Sequence, residues 1–199
     1  MTRELLALGG AYLLGSVPFA IVLVGAFRGV DVRTQGSGNA GATNVLRTAG
    51  KSLAAATMVL DVGKGAAAVL LMKAVTHDPR WLGAAAVAAI LGHVFPVWFR
   101  FRGGKGVATA IGGFALLAPG AVLAVVGVFA LVVAATRFVS LASITAACLL
   151  PLAMRLLLGA PDAEVAAAAA ATVLLLVSHR ANIRRLLAGT ERRLGRREP

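Results

Sequence analysis

Acidic side chains are scarce in this sequence. Eight Asp and Glu stand against twenty Lys and Arg among 199 residues, and charged residues make up only 14% of the chain, where a soluble domain carries roughly 25%. Hydrophobic residues fill 59% of it and the mean hydropathy is +0.86. Several apolar stretches approach the ~20 residues that cross a hydrocarbon core. This excludes an ordinary soluble domain and predicts a polytopic membrane protein, all-α, with residues 1–199 as one domain made mostly of its spans. The one cysteine, Cys148, lies inside an apolar run, so there is no intrachain disulfide and no cysteine metal cluster. Carboxylates inside the apolar runs are sparse too. Asp61 alone sits well inside a span, which excludes a site built on several metal-holding aspartates, and no metal or cofactor is expected. A G-x-x-x-x-G-K-[ST] phosphate loop is also absent.

What is present is a series of apolar segments. Leu5–Phe27, Leu53–Ala74, Trp81–Phe99, Val107–Leu117, Ala121–Thr136, Phe138–Leu158 and Ala163–Val177 read as about seven transmembrane helices. The first continues past the length of a signal-peptide core before meeting Arg28, so it is expected to be retained. Pro119–Gly120 breaks the long run from Val107 to Thr136 into a hairpin. With that hairpin, fifteen of the twenty basic residues fall on one side. These are Arg28, Arg33, Arg47 and Lys51, then Arg100, Arg102 and Lys105, then Arg137, then seven arginines after Val177. The positive-inside rule puts this side in the cytoplasm, the N-terminus outside, and the basic tail 180–199 in the cytoplasm. A net charge of +12 can signal nucleic acid, but runs this short between apolar spans are topology signals, and no nucleic-acid partner is expected. The many Ala and Gly residues let helices approach closely in lipid.

Three segments on the basic side carry chemistry. "TQGSGNAGATNVLR" contains G-x-G-x-x-G at Gly36, Gly38 and Gly41, but without the strand and βαβ context of a dinucleotide site. Its glycines can still turn backbone N–H groups around an anion. Ser37, Asn39, Thr43 and Asn44 add neutral donors, and Arg47 can grip an oxyanion with two hydrogen bonds. "FRFRGGKGVAT" repeats the recipe with Gly103, Gly104, Lys105, Gly106 and Thr109, placing a helix N-terminus beside a lysine. "SHRANIRRLLAGTERR" adds His179 and Asn182 where the last span ends. Its Ile183, Leu186 and Leu187 with Arg184 and Arg185 fit an interfacial amphipathic helix. Asp61 and Lys64, at i and i+3, read as a structural ion pair that also shapes the floor of the site, and His93 in "GHVFP" reads as a packing or hydrogen-bonding residue. The hydroxyls of Ser140 and Ser143 in "RFVSLAS" can face the same basin or bond their own backbone.

Taken in order, "GSGNAGATNVLR", "DVGKG", "GHVFP", "FRGGKGVAT", "RFVSLAS" and "HRANIRRLLAGTE" run from residue 36 to 191 and together resemble the PlsY family of bacterial membrane glycerol-3-phosphate acyltransferases. The resemblance implies transfer of a fatty acyl group from acyl phosphate to the sn-1 hydroxyl of glycerol 3-phosphate, giving lysophosphatidic acid and inorganic phosphate. It implies a multi-pass enzyme of the bacterial cytoplasmic (inner) membrane with its site on the cytoplasmic face. It also implies contact with PlsX, the peripheral enzyme that makes the donor. By motif position, Ser37, Arg47, Lys105, Ser143, His179 and Asn182 would line the site.

The general base is open on sequence. The H-x-x-x-x-D motif of soluble-type acyltransferases is missing: Leu82, Trp98 and Arg184 follow His77, His93 and His179 at that spacing. No carboxylate is assigned to a loop motif. Proton transfer to the substrate's own phosphate, with His179 as an orienting donor, is favoured over His179 as base. A small multi-pass transporter of an anionic phosphate compound is the alternative. It would place polar groups and broken helices near the bilayer midplane rather than at the ends of the spans.

Overall fold

The computed structural model describes residues 1–195 and is helical, with no strand among those residues. Arg196 and Arg197 of the expected basic tail lie outside the described residues. The first apolar segment forms α1 (Thr2–Gly15) and α2 (Phe19–Arg28), which together make one candidate span. The interruption falls at Ser16–Pro18. Proline has no N–H to continue the ladder, and the Ser16 hydroxyl donates back to the Tyr12 carbonyl at 2.9 Å. After a short α3 (Ala42–Thr48), α4 (Lys51–Lys73) and α5 (Pro79–Val94) supply the next two spans, the latter extended by a 3-10 turn at Val97–Phe99.

The expected fourth span, Val107–Leu117, is a shorter object. Its helix α6 covers Val107–Ala115, nine residues that rise only about 13 Å against a hydrocarbon core of about 30 Å. Five helices, or six if a bent pair is counted as one span, are long and apolar enough to cross a membrane among the described residues, and α6 is not one of them. The expected break at Pro119 is present: α7 (Pro119–Thr136) begins there with proline in its first turn, where the missing N–H costs nothing. Then follow α8 (Val139–Leu158), α9 (Asp162–Ser178) and α10 (Arg180–Leu187), with α9 and α10 meeting at 62°.

Two close helix pairs build one half of the bundle. α1 lies on α5 through Gly15 and Gly92, and α4 lies on α6 through Gly65 and Gly112. A β carbon at Gly65 would overlap the Thr109 carbonyl, and one at Gly112 would overlap the Val62 carbonyl. Backbones in contact are how helices gain dispersion energy in lipid, where burial alone does not drive association. The other half, α7 to α9, packs around a core that includes Phe114, Ile90, Met154 and Leu175. The gap it leaves holds the site.

Candidate active site

The loop between α2 and α3 is held by its own side chains. Asp31 accepts from the Arg33 amide at 2.9 Å and caps the 3-10 turn Val32–Thr34. Asn44, 1% exposed, accepts from the Ser37 amide at 2.8 Å and donates to the Val32 and Gln35 carbonyls at 3.0 Å each. Gly36 and Gly38 take the left-handed conformation, φ 58° and 71°, which glycine adopts without a steric penalty. A β carbon at Gly36 would also overlap the Asn44 side chain that closes the loop.

The loop before α6 rests on the end of α5. The Gly103 and Gly104 amides donate to the Val94 and His93 carbonyls, both at 3.1 Å. Arg100 and Phe101 precede them with φ 53° and 58°, two consecutive non-glycine residues in a costly conformation of the kind concentrated at functional sites. The Ser178 hydroxyl donates to the Lys105 carbonyl at 3.1 Å, tying the loop to the end of α9.

The third contribution comes from α10 and the chain after it. This segment folds back so that Leu194 N–H bonds the Arg137 carbonyl at 2.8 Å, with Arg193 over the Phe138 ring at 5.0 Å. The fold-back brings Glu191 to the Asn182 amide and the Ser140 hydroxyl, whose donors reach its Oε1 at 2.7 and 2.8 Å, and to Arg185 Nε, which reaches Oε2 at 2.7 Å. Burial pushes the Glu191 carboxyl up, but these hydrogen bonds outweigh it and hold the group below its ordinary value, hence ionised.

These parts enclose one cavity of about 280 Å³. Its polar end carries Ser37, Thr43, Arg47, Lys105 and His179, with the first-turn residues Val107 and Ala108 of α6 beside them. The first turn of a helix leaves N–H groups without intrahelical partners, and these favour an anion. Its other end is apolar, between Val122 and Val125 of α7, Leu150 of α8, and Ala168 and Ala171 of α9.

Charge state follows from this setting. Burial lowers the Lys105 ammonium from its ordinary 10.5 to about 8; the Glu191 charge opposes the drop, and Arg185 and Arg47 add to it. Burial and the Lys105 charge likewise lower His179 to about 4, so its ring is neutral near pH 7. The His179 Nδ1 lies 2.7 Å from the Leu175 carbonyl. A carbonyl can only accept, so Nδ1 carries the ring proton and Nε2 of the neutral ring has only a lone pair. The expected role of His179 as an orienting donor therefore changes: the neutral ring offers Nε2 as an acceptor.

Comparison with known proteins gives the family. The family model described as Glycerol-3-phosphate acyltransferase matches residues 5–189. Proteins of that name from Geotalea daltonii and Synechococcus sp. strain CC9902 are 44% and 48% identical to this chain, each over 191 residues. The matches cover 96% of this chain in both cases, and 97% and 94% of the relatives. Crystal structures of PlsY, an integral membrane glycerol 3-phosphate acyltransferase, superpose with TM-scores of 0.90 for the glycerol 3-phosphate form and 0.88 for the lysophosphatidic acid form. Both are 40% identical, covering 96% of this chain and 96% and 95% of theirs. The chain belongs to the glycerol-3-phosphate acyltransferase family.

Within this family member, Ser37, Asn39, Gly41, Thr43, Asn44 and Arg47 of the first loop all reach the cavity wall. So do Lys105, Gly106, Ser143, His179 and Asn182. The other expected residues do not line it. Gly36 and Gly38 shape the loop, and Gly103 and Gly104 lie against His93. Thr109 is fully buried with its hydroxyl unpartnered, and its backbone carbonyl lies against Gly65 in the α4–α6 contact. Asn44 reaches the wall with both amide hydrogens already committed, so its part is to hold the loop. The Ser143 hydroxyl donates to the Val139 carbonyl at 2.9 Å, which leaves it as an acceptor.

Sequence reasoning missed Glu191, weighed Ser140 only among the hydroxyls of "RFVSLAS", and gave Arg185 to an interfacial helix rather than to the site. Glu191 closes the quoted motif "HRANIRRLLAGTE", and an acidic residue among so many arginines was the available signal. Asp61 and His93 also reach the wall.

Proposed function

We propose that this protein transfers a fatty acyl group from acyl phosphate to the sn-1 hydroxyl of glycerol 3-phosphate, releasing lysophosphatidic acid and inorganic phosphate. The observation that carries the reading is that one cavity joins a cationic, amide-rich end to an apolar end. Both substrates bear phosphate and one bears an oily chain, so each finds matching chemistry in it. The resemblance of the ordered motifs supplies the donor and the regiochemistry.

In this reading Arg47 and Lys105 hold phosphate oxygens, and the chain of the donor lies among α7, α8 and α9. The glycerol hydroxyl oxygen attacks the acyl carbonyl carbon, the bond from that carbon to the phosphate oxygen breaks, and phosphate leaves with the electron pair. The hydroxyl proton passes to a phosphate oxygen. His179 accepts a hydrogen bond through Nε2 from the neighbouring C2 hydroxyl of glycerol and so aims the attacking one, whose own proton stays directed at phosphate. With a pKa of about 4 the ring is too weak a base to keep the proton, which favours phosphate as its destination. An acyl phosphate is already activated, so the protein contributes mainly orientation and charge stabilisation. Glu191 holds Asn182, Ser140 and Arg185 in register around the site.

The basic end is assigned to the cytoplasmic face of the bacterial inner membrane by the positive-inside rule. A water-soluble acceptor and a donor delivered by PlsX would both reach it there. The deciding experiment gives purified protein in detergent labelled glycerol 3-phosphate with either palmitoyl phosphate or palmitoyl-CoA, and compares wild type with Arg47→Ala. Lysophosphatidic acid from acyl phosphate only, lost in the variant, is the expected result. Product from palmitoyl-CoA would overturn the donor assignment. No product from either donor, in folded protein, would overturn the proposed reaction.

A further inference from the structure

We propose that Asp61, Lys64 and His93 form a positioning network that sets the Gly103–Gly104 backbone and, through it, the Lys105 amine. The network starts at the break in the first span. In a continuous helix the Val17 carbonyl would accept from the Ile21 amide, but Ile21 N–H bonds Pro18 instead, at 2.9 Å. Lys64 Nζ takes the orphaned Val17 carbonyl at 2.7 Å and pairs with Asp61 Oδ1 at 2.8 Å, with its ammonium 5.6 Å from the centre of the Phe19 ring.

The line continues toward the site. Asp61 Oδ1 faces His93 Nδ1 at 3.6 Å, too long for a hydrogen bond but close enough for charge to orient the ring, and Nδ1 has no other partner. The side chains of Asp61, Lys64 and His93 are only 3%, 3% and 6% exposed. His93 then meets the loop twice. Its carbonyl accepts the Gly104 amide, and its Nε2 fills the space a β carbon at Gly104 would need. That same missing β carbon would stand 2.6 Å from the Ala40 carbonyl of the first loop. One glycine is therefore where both anion loops and the imidazole meet, and Lys105 is the next residue.

Simple neutralisation of a buried pair explains less than this. Replacing such a pair by apolar side chains is often neutral or stabilising, and ionisable residues inside a span are costly and mark function. Neutralisation also gives no reason for His93 to sit against Asp61, or for both to reach the cavity wall.

The inference rests on Lys105 holding a substrate phosphate, so its test separates the two claims. His93→Gln is combined with Lys105→Arg, which keeps a cation but with a different shape and reach. kcat and KM for glycerol 3-phosphate are measured alongside thermal unfolding. Contacting residues couple in such a cycle and independent ones add. His93→Gln is expected to lower kcat/KM about tenfold in wild type and less than about twofold in Lys105→Arg, while its effect on unfolding temperature is the same in both. The same factor in both backgrounds, or no effect of His93→Gln in either, would overturn the network. If Lys105→Arg alone leaves both kinetic constants unchanged, the role of Lys105 fails and the network falls with it. Asp61→Asn, run through the same cycle, replaces His93→Gln if that variant does not fold.

Discussion

Glu191 lies nine residues beyond Asn182, and its Oε1 accepts from the Asn182 side-chain amide at 2.7 Å. The same oxygen takes the Ser140 hydroxyl from α8, and the other carboxylate oxygen takes Arg185. One carboxylate therefore fixes three side chains from two elements. Glu191→Ala would release all three, and each hydrogen bond to a buried charged group is worth roughly 1.5–3 kcal/mol. We expect kcat/KM to fall about 100-fold or more, with a lower unfolding temperature. Glu191→Gln keeps an oxygen for Asn182 and Ser140 but turns an NH2 toward Arg185, so its loss should be smaller. Enzyme assays in detergent beside thermal unfolding decide this; full activity in folded Glu191→Ala would refute it.

Lys105 makes substrate binding sensitive to pH. Its amine titrates at about 8 in the unliganded protein, and only the protonated form attracts phosphate. That form predominates below the pKa and is lost as pH rises through it. KM for glycerol 3-phosphate should therefore climb from pH 7 upward, reaching about tenfold its low-pH limit one unit above the pKa. His179, at about 4, stays neutral throughout that range and adds no inflection. Lys105→Arg should abolish the rise, since guanidinium remains charged. A rise that persists in Lys105→Arg would assign the titration to another group.

Much of this was legible in the chain because the signals are local. Apolar runs bounded by arginine, the Pro119 break and the three loop motifs each lie within a few residues. What escaped depended on depth and on contacts distant in sequence. Val107–Leu117 is short for a span at about 16 Å, but the basic loop before it and Pro119 after it read as the two ends of a crossing. Its glycines at 112 and 113 fit a span as well as a half-length helix packed on α4. Asn44 and Thr109 have the composition of ligands, yet one is committed to its loop and the other is buried where α6 meets α4. The alanines of α9 were read as close-packing residues. Ala168 and Ala171 instead bound the cavity, and small side chains serve a void as well as a seam.

The α4–α6 contact gives a stability test with an internal control. At Gly65 an added methyl group would strike the Thr109 backbone, which cannot rotate aside. Gly65→Ala should lose about 1–3 kcal/mol to overpacking. Gly63, two residues earlier on the same helix, has nothing within 4 Å of a built β carbon. Gly63→Ala should be neutral or stabilising, since alanine favours helix by about 1 kcal/mol over glycine. Thermal unfolding of both variants in one detergent is the measurement. Equal losses would mean that backbone proximity is not what makes Gly65 necessary.

The apolar end of the cavity predicts a chain-length effect. Along α9, Leu175 lies one turn from His179, while Ala168 is three turns away and fully buried; Leu150 of α8 and Val122 of α7 line the same far end. Ala168→Leu would fill that end and leave the polar end untouched. A long donor would then lose burial for its last methylenes, each worth about 0.8 kcal/mol. Displacing two or three of them amounts to about 2 kcal/mol, or roughly 30-fold in kcat/KM. A donor short enough to stop before Ala168 should keep its rate within about threefold. Ala124, exposed on α7 and absent from the cavity wall, supplies the control: Ala124→Leu should change neither donor. The measurement is kcat/KM for a 16-carbon and a 10-carbon acyl phosphate with each variant. If Ala168→Leu lowers both donors by the same factor, the acyl chain does not lie between α7, α8 and α9, and the apolar end of the cavity needs another occupant.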